Sequence, residues 1–232
     1  EGKSLIGDAK TPGGLIALRN NASAFVITHE LGHTLGLGHT NLIRCPNNVS
    51  DGVWSSCNAI EYGGAVDVMS NVDVQGPLST YHQWRMGIIK DSDITQVWKT
   101  QTIDLKYTNS PTGTRAIFVR DGKQTYWIEF RKVADGYTPG LAIYRTDPPP
   151  ANSIVSPNAS DVTDAPTQAV TTDVWLMNLD NFRYTSSATT SGSPILQFGR
   201  TFLDSSGNIS VSATQKDADT VSVTVTRKPD TI

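Results

Sequence analysis

The sequence predicts an α+β fold, in which a part built around one amphipathic helix is followed by an antiparallel β-sandwich. Apolar residues recur at spacings of three and four between residues 24 and 35, which is typical of one face of a helix. From about residue 97 the pattern changes to short alternating runs separated by turn residues, as in antiparallel strands. We therefore predict two domains, residues 1–96 and residues 97–232.

The composition is that of a globular protein of one or two domains. Its 232 residues suffice for a sizeable core, and no apolar run is long enough to span a membrane. Charged residues make up only 18% of the chain, which is low for a cytosolic enzyme. The formal net charge of −3 gives no reason to expect a nucleic-acid partner. We predict neither a transmembrane segment nor a nucleic-acid ligand.

Three histidines fall within one short stretch, H-E-L-G-H-T-L-G-L-G-H, at residues 29–39. Residues four apart lie on the same face of a helix, so His29 and His33 can point at one metal ion. Gly36 can end the helix in a left-handed turn, after which His39 reaches the same ion. Three protein ligands with a fourth position for water are typical of catalytic zinc sites. The spacing therefore predicts a Zn²⁺ site.

Glu30 is the candidate general base of this site. It is rotated by about 100° around the helix from His29, so its carboxylate can reach a water on the metal without displacing a ligand. A carboxylate there can take the proton of the water as it attacks a carbonyl group. The alternative is a helix that carries histidines by chance, but three of the four histidines of the chain lie in this motif.

Two helices are predicted before residue 97. The first carries the motif and is capped by Asn21 or Ser23. A short second helix is predicted at residues 79–88, and its His82 is interpreted as a structural histidine, with a substrate contact as the alternative. The residues between the two helices are predicted to be loops. The apolar stripe of the first helix, which is predicted to face the core, consists of Ala24, Ile27, Leu31 and Leu35.

The extended motif resembles that of the metzincin metallopeptidases, in which a methionine-containing turn follows H-E-x-x-H-x-x-G-x-x-H. A candidate Met-turn, D-V-M-S-N at residues 67–71, follows the turn-rich run E-Y-G-G at residues 61–64. The resemblance implies that Met69 forms a hydrophobic floor beneath the zinc, with an ordinary core methionine as the alternative. The segments 61–69, 81–89 and 126–131 are similar to secreted peptidases of the gametolysin-like and immune-inhibitor-A-like groups.

This resemblance implies a metzincin-type zinc helix with a Met-turn and a secreted zinc endopeptidase that acts on protein or peptide substrates. Residues 1–96 are then the zinc metallopeptidase domain, with His29, His33 and His39 as ligands and Glu30 activating the zinc-bound water. Family members have a large sheet before the zinc helix, whereas 28 residues precede His29 here, so we expect a truncated or reduced N-terminal part. The rival hypothesis is a catalytically silent, zinc-containing binding or adhesion protein derived from a peptidase.

Cys45 and Cys57 are the two cysteines of the chain. A disulfide between them would close a loop of about a dozen residues and contribute roughly 2–3 kcal/mol in the chain-entropy model. It would imply an oxidising compartment, which agrees with secretion. Two free thiols are the alternative.

The part after residue 97 is predicted to consist of strands joined by polar turns, with a hairpin at Asp121-Gly122. This sandwich is interpreted either as a scaffold or as an accessory domain that contacts a cell surface or matrix. Segment 147–172 is interpreted as a long, solvated surface loop, with Ca²⁺ binding by its aspartates as the alternative. An extended piece is predicted at residues 14–19. The predicted strands are 102–107, 115–120, 124–131, 140–145, 174–178, 195–198, 208–213 and 220–227.

Overall fold

The computed structural model describes residues 16, 23–64, 66–70, 76–132, 138–150, 154–155, 173–179 and 193–228. The described helices are α1 (Ala24–Thr34) and α2 (Thr80–Arg85), and there are short 3-10 turns at Pro46–Asn48 and Asp91–Asp93. The described strands are β1 (Thr40–Arg44), β2 (Asn58–Ile60), β3 (Ile94–Val97), β4 (Gln101–Lys106), β5 (Ala116–Asp121), β6 (Gln124–Arg131), β7 (Gly140–Arg145), β8 (Ile154–Val155), β9 (Val174–Leu176), β10 (Leu196–Gln197), β11 (Thr201–Leu203), β12 (Ile209–Gln215) and β13 (Thr220–Arg227).

These strands form two sheets. The larger sheet has the order β3-β5-β6-β7-β9-β1-β2-β8, and β10 pairs with β7 as its ninth strand. It is a mixed sheet, because β1 pairs with β9, β2 with β8 and β3 with β5 in parallel orientation. The smaller sheet, in the order β11-β12-β13-β4, is antiparallel throughout.

The predicted α+β class, a zinc-helix part followed by an antiparallel β-sandwich, is wrong. The described part of the chain is mainly β, with helices of only 11 and 6 residues. Strands β1 and β2 lie where the sequence pattern predicts loops. Four of the five residues of β1 are buried, so its sequence lacks the alternation that marks a half-exposed strand. Strand β2 has only three residues, which is too short for a periodic signal.

The eight strands predicted after residue 97 are confirmed, and β6, β7 and β13 have the predicted bounds. The hairpin at Asp121-Gly122 is confirmed as well, since Asp121 pairs with Gln124 and Gly122 has a φ of +55°. Hydrogen bonds between β1 and β9 place strands from both sides of residue 97 in one sheet. The division into two domains at residue 97 stays a prediction.

The core lies between the two sheets and on the outer face of the larger one. Ile117 and Ile128 of the larger sheet share a fully buried cluster with Leu105 and Val223 of the smaller sheet. The opposite face of the larger sheet packs against α2, where the ring of Trp127 forms a T-shaped contact with that of Tyr81. The larger sheet is therefore covered on both faces, which explains why its strands are so apolar.

The face of α1 that the sequence assigns to the core is exposed. Ile27, Leu31 and Leu35 are 39%, 46% and 52% exposed. The buried face is instead the one that carries His29 and His33. That face packs against the turn around Met69, so the motif decides which side of the helix is covered.

The extended piece predicted at residues 14–19 lies outside the described residues, apart from residue 16. Most of the surface loop predicted at 147–172, whose aspartates are the candidate Ca²⁺ ligands, also lies outside them. None of the helices in the described ranges is long and apolar enough to cross a membrane.

Candidate metal centre

Helix α1 has well-formed ends that place the motif. Ser23 caps the N-terminus, as predicted, because its Oγ accepts a hydrogen bond from the N–H of Val26 at 3.2 Å. Gly36 has a φ of +87°, its N–H donates to the carbonyl of His33, and the N–H of Leu37 donates to that of Gly32. These two bonds form a Schellman motif. The predicted left-handed turn at Gly36 is confirmed, and it turns the chain back towards the helix.

The three histidines of the motif converge on one point. Nε2 of His33 lies 3.0 Å from Nε2 of His29 and 3.0 Å from Nε2 of His39. One ligand atom of each residue lies within 4.8 Å of the other two. Within the described ranges, this is the one group of three or more histidine, cysteine or acidic side chains that comes so close together.

The second nitrogen of each ring has a partner that only accepts hydrogen bonds. Nδ1 of His29 lies 2.7 Å from the carbonyl of Val68, and Nδ1 of His33 lies 2.9 Å from that of Leu37. Nδ1 of His39 faces the carboxylate of Glu61. Each Nδ1 therefore carries the ring proton, and each Nε2 presents a lone pair. Three lone pairs at this distance repel one another, whereas a cation between them satisfies all three. The group fits a metal ion.

Burial keeps two of the three rings, those of His29 and His39, neutral. It lowers the pKa of His29 below its ordinary 6.5, although the hydrogen bond to the Val68 carbonyl acts in the opposite direction. Burial lowers the pKa of His39 to about 4, against the opposing effect of its hydrogen bond with Glu61. At neutral pH both rings are uncharged, which is the form that binds a metal.

Glu30, the predicted base, is buried within the same face of α1 and is only 6% exposed. Its charge opposes the lowering of the His29 pKa by burial, and it adds to burial and to the charge of Glu61 in raising the pKa of Tyr62. The carboxylate thus lies in the electrostatic neighbourhood of the metal centre, enclosed together with the ligands.

Met69 lies directly against α1. A Cβ atom at Gly32 would come within 2.4 Å of Sδ of Met69, so the glycine permits the close approach of helix and turn. Met69 is fully buried in a small cluster with Leu37 and Val68. This cluster lies next to the ligands, because the carbonyl of Val68 binds His29. The role of Met69 as a hydrophobic floor for the ion stays a prediction.

Residues outside the motif also contact His39. Oε1 of Glu61 lies 3.2 Å from its Nδ1, and the ring of Tyr62 packs on its ring with the centroids 4.0 Å apart. Oδ1 of Asp173 accepts a hydrogen bond from the backbone N–H of His39 at 2.6 Å. Sequence reasoning missed these roles. Glu61 is the one acidic side chain of the turn-rich run E-Y-G-G, which is a usable signal, whereas Asp173 has no local signal.

The predicted disulfide between Cys45 and Cys57 is confirmed. It joins the segments directly after β1 and before β2, at the end of the hairpin opposite to His39. Both cysteines are buried, at 7% and 2% exposure. The bond is consistent with an oxidising compartment.

The second predicted helix, α2, is confirmed, and Ser79 caps it by accepting a hydrogen bond from the N–H of His82 at 3.2 Å. His82 is fully buried, with its Nδ1 3.3 Å from Oδ2 of Asp67. It therefore links α2 to the turn around Met69, as expected for a structural histidine.

Comparison of the chain with protein-family models, with curated proteins and with solved structures finds no match. The metzincin resemblance therefore rests on the motif and the segments near it.

Proposed function

We propose that this protein is a secreted zinc-dependent endopeptidase of metzincin type. The observation that carries the proposal is the convergence of three imidazoles, with a buried carboxylate next to one of them on the same helix. This set of side chains is the one that hydrolysis of a peptide bond by a metal-activated water needs.

His29, His33 and His39 would hold the ion. Neutral imidazole nitrogens suit zinc and several other transition metals, and three of them with a position left for water are typical of catalytic zinc. When bound, zinc lowers the pKa of a water molecule and polarises a carbonyl group. The carbonyls of Val68 and Leu37 keep two of the rings in the orientation that this binding requires.

Glu30 would move the proton. Its carboxylate accepts the proton of the attacking water and then passes it to the leaving amine. Glu30 is adjacent to His29 on a hydrogen-bonded helix. Its backbone therefore keeps a fixed position relative to the two histidines of that helix during the proton transfer. Glu30 is only 6% exposed, so bulk water has little access to it.

Replacement of Glu30 tests the proposal. Glu30→Gln keeps the shape and removes the base, so we expect zinc content to stay near one ion per chain while casein cleavage falls by about 10²–10⁴-fold. Zinc content is measured by atomic absorption and cleavage by release of labelled peptides. Asp104→Asn, which removes one charge from a surface ion pair with Lys216, is the control and should cleave like the wild type.

Two results would count against the proposal. Undiminished cleavage by Glu30→Gln excludes Glu30 as the base. A wild-type protein that binds zinc but cleaves no protein or peptide, with or without a chelator, favours a silent binding protein derived from a peptidase.

A further inference from the structure

The β1–β2 hairpin brings residues from outside the motif to the metal centre. His39 directly precedes β1 and Glu61 directly follows β2. The two strands are antiparallel, with Leu42 opposite Ile60, so the open ends of the hairpin lie side by side. At that end Nδ1 of His39 lies 3.2 Å from Oε1 of Glu61, and both side chains are nearly buried, at 14% and 13% exposure.

The partner of His39 differs from the partners of the other two ligands. His29 and His33 contact neutral carbonyls, whereas His39 contacts a carboxylate. A carboxylate attracts the Nδ1 proton more strongly than a carbonyl does, and this makes Nε2 a better electron donor. His39 also lies outside α1, so the helix does not fix the direction of its side chain. Its orientation depends on groups brought by the hairpin.

The next residue, Tyr62, restricts the same ring. Its backbone has a φ of +59°, a left-handed conformation that non-glycine residues rarely adopt. Asn41 at the start of β1 accepts a hydrogen bond from the Tyr62 N–H at 3.0 Å and holds this turn in place. The Tyr62 ring then lies 4.0 Å from that of His39 and 6.0 Å from that of His29, measured between centroids.

The hairpin is also drawn tightly onto the site by Gly64. Its N–H donates to the carbonyl of Thr40 at 3.0 Å, and a Cβ atom there would lie 2.5 Å from that oxygen. The turn that carries Glu61 and Tyr62 therefore has a defined position relative to His39.

We propose that Glu61 is a positioning residue of the metal centre. Its carboxylate holds His39 in the tautomer with the proton on Nδ1 and directs Nε2 at the ion, while Tyr62 limits rotation of the ring. The inference rests on the proposed function, since it assigns Glu61 to the same centre.

The test measures metal binding rather than proteolysis. Glu61→Ala is expected to lower zinc affinity by about 10–100-fold, which is the usual cost of removing the hydrogen-bond partner of a metal-ligating histidine. A competition titration with a chelating dye measures the affinity. Glu61→Gln keeps an accepting oxygen without the charge and should lie between Glu61→Ala and the wild type. Cobalt(II) substitution provides a second readout, because its visible absorption bands change when a ligand ring tilts. Asp104→Asn is the control for the lost charge.

Every outcome of these measurements either supports or overturns the role of Glu61. Wild-type zinc affinity together with an unchanged cobalt spectrum in Glu61→Ala overturns the inference, and so does an equal loss of affinity in Asp104→Asn. If circular dichroism shows that Glu61→Ala does not fold, Glu61→Gln decides, and wild-type binding by that variant overturns the need for a carboxylate. A wild-type protein that binds zinc but cleaves nothing overturns the proposed function alone. One that binds neither zinc nor cobalt overturns both.

Discussion

Asp67 organises the turn around Met69 through one buried carboxylate. Its Oδ1 accepts a hydrogen bond from the N–H of Met69 at 2.9 Å, and its Oδ2 accepts one from that of Ser79 at 2.9 Å. Burial alone would raise the pKa of Asp67. The hydrogen bond and charge of His82, the charge of Arg131 and the Ser79 N–H together outweigh burial and lower it to about 2.

Asp67 should make stability depend on acidity. Its pKa is about 2 in the folded protein and near the ordinary 3.8 in the unfolded chain. The ionised carboxylate therefore contributes stability that is fully present above pH 3.8 and is lost as the pH falls through about 2. Asp67→Asn should lower the free energy of unfolding by about 2–3 kcal/mol at pH 7, and by less at pH 2.

Urea unfolding at several pH values, read by tryptophan fluorescence, gives this difference. Asp104→Asn is the control, because its carboxylate is 51% exposed and contributes little. If the difference between wild type and Asp67→Asn is the same at pH 2 and pH 7, the carboxylate is not the origin of the effect.

At the scale of single residues, the sequence predicts the features that depend on near neighbours along the chain. The ligands and Glu30 follow from spacing on a helix, and Gly36 follows from the turn that the third histidine needs. Glu61 is 22 residues beyond His39 in sequence but adjacent in space, because β1 and β2 fold back on each other. No periodicity in the sequence indicates that contact, so it is seen only in the folded protein.

Among the secondary-structure elements, the β1–β2 hairpin is closed at one end by Cys45–Cys57 and supports His39 at the other. The last pair of the hairpin, Arg44 with Asn58, lies next to the disulfide. The covalent link thus fixes the register of a short strand pair that has only three paired positions.

Removal of this link should destabilise the protein. The variant with both Cys45→Ala and Cys57→Ala is expected to lose about 3 kcal/mol of unfolding free energy, because the unfolded chain gains the freedom of the opened loop. Chemical denaturation measures the loss. A reductant should destabilise the wild type and leave the double variant unchanged. Equal stabilities of the two proteins would show that the disulfide adds nothing to the fold.

The helices and strands differ in how well their sequences predict them. Strand β13 alternates from Val221 to Thr226, since one face packs in the core and the other does not, and its bounds follow from the sequence. Helix α1 is predicted with the correct cap but the wrong buried face. Its apolar stripe would be the core side in an ordinary helix, but the side chains of the candidate metal centre, His29 and His33, are buried instead.

At the scale of the whole molecule, the carboxylate of Asp51 links the two sheets by hydrogen bonds. Its Oδ1 accepts a hydrogen bond from Arg145 of β7 at 2.9 Å, and its Oδ2 accepts bonds from the Tyr126 hydroxyl at 2.7 Å and the Ser205 N–H at 2.8 Å. Arg145 and Tyr126 belong to the larger sheet, and Ser205 follows the β11 strand of the smaller one. The side chains of Asp51 and Arg145 are each 1% exposed.

Asp51→Ala should therefore be among the single substitutions that lower the free energy of unfolding most. It leaves the buried Arg145 charge without one of its partners, and breaking such pairs costs about 3–5 kcal/mol. Equilibrium denaturation in urea measures the loss. The surface pair of Asp104 and Lys216 provides the contrast, since Asp104→Asn should cost no more than about 1 kcal/mol. Similar losses in the two variants would contradict a special role for the buried pair.

The overall architecture is the least predictable level. Parallel pairing of β1 with β9 and of β2 with β8 joins segments far apart in sequence. Local alternation cannot show which distant strand becomes a neighbour, and short strands buried on both faces carry little pattern at all. The mixed sheet therefore differs from the antiparallel sandwich that the sequence predicts.

The pairing of β1 with β9 also determines when the metal centre can be completed. The backbone of His39 donates to Asp173 and accepts a hydrogen bond from Val174, residues that lie 134 and 135 positions further along the chain. During synthesis, α1 leaves the ribosome long before these residues exist. His39 acquires its final backbone support only after they emerge, so a nascent chain carries the full motif well before the three histidines have their final support.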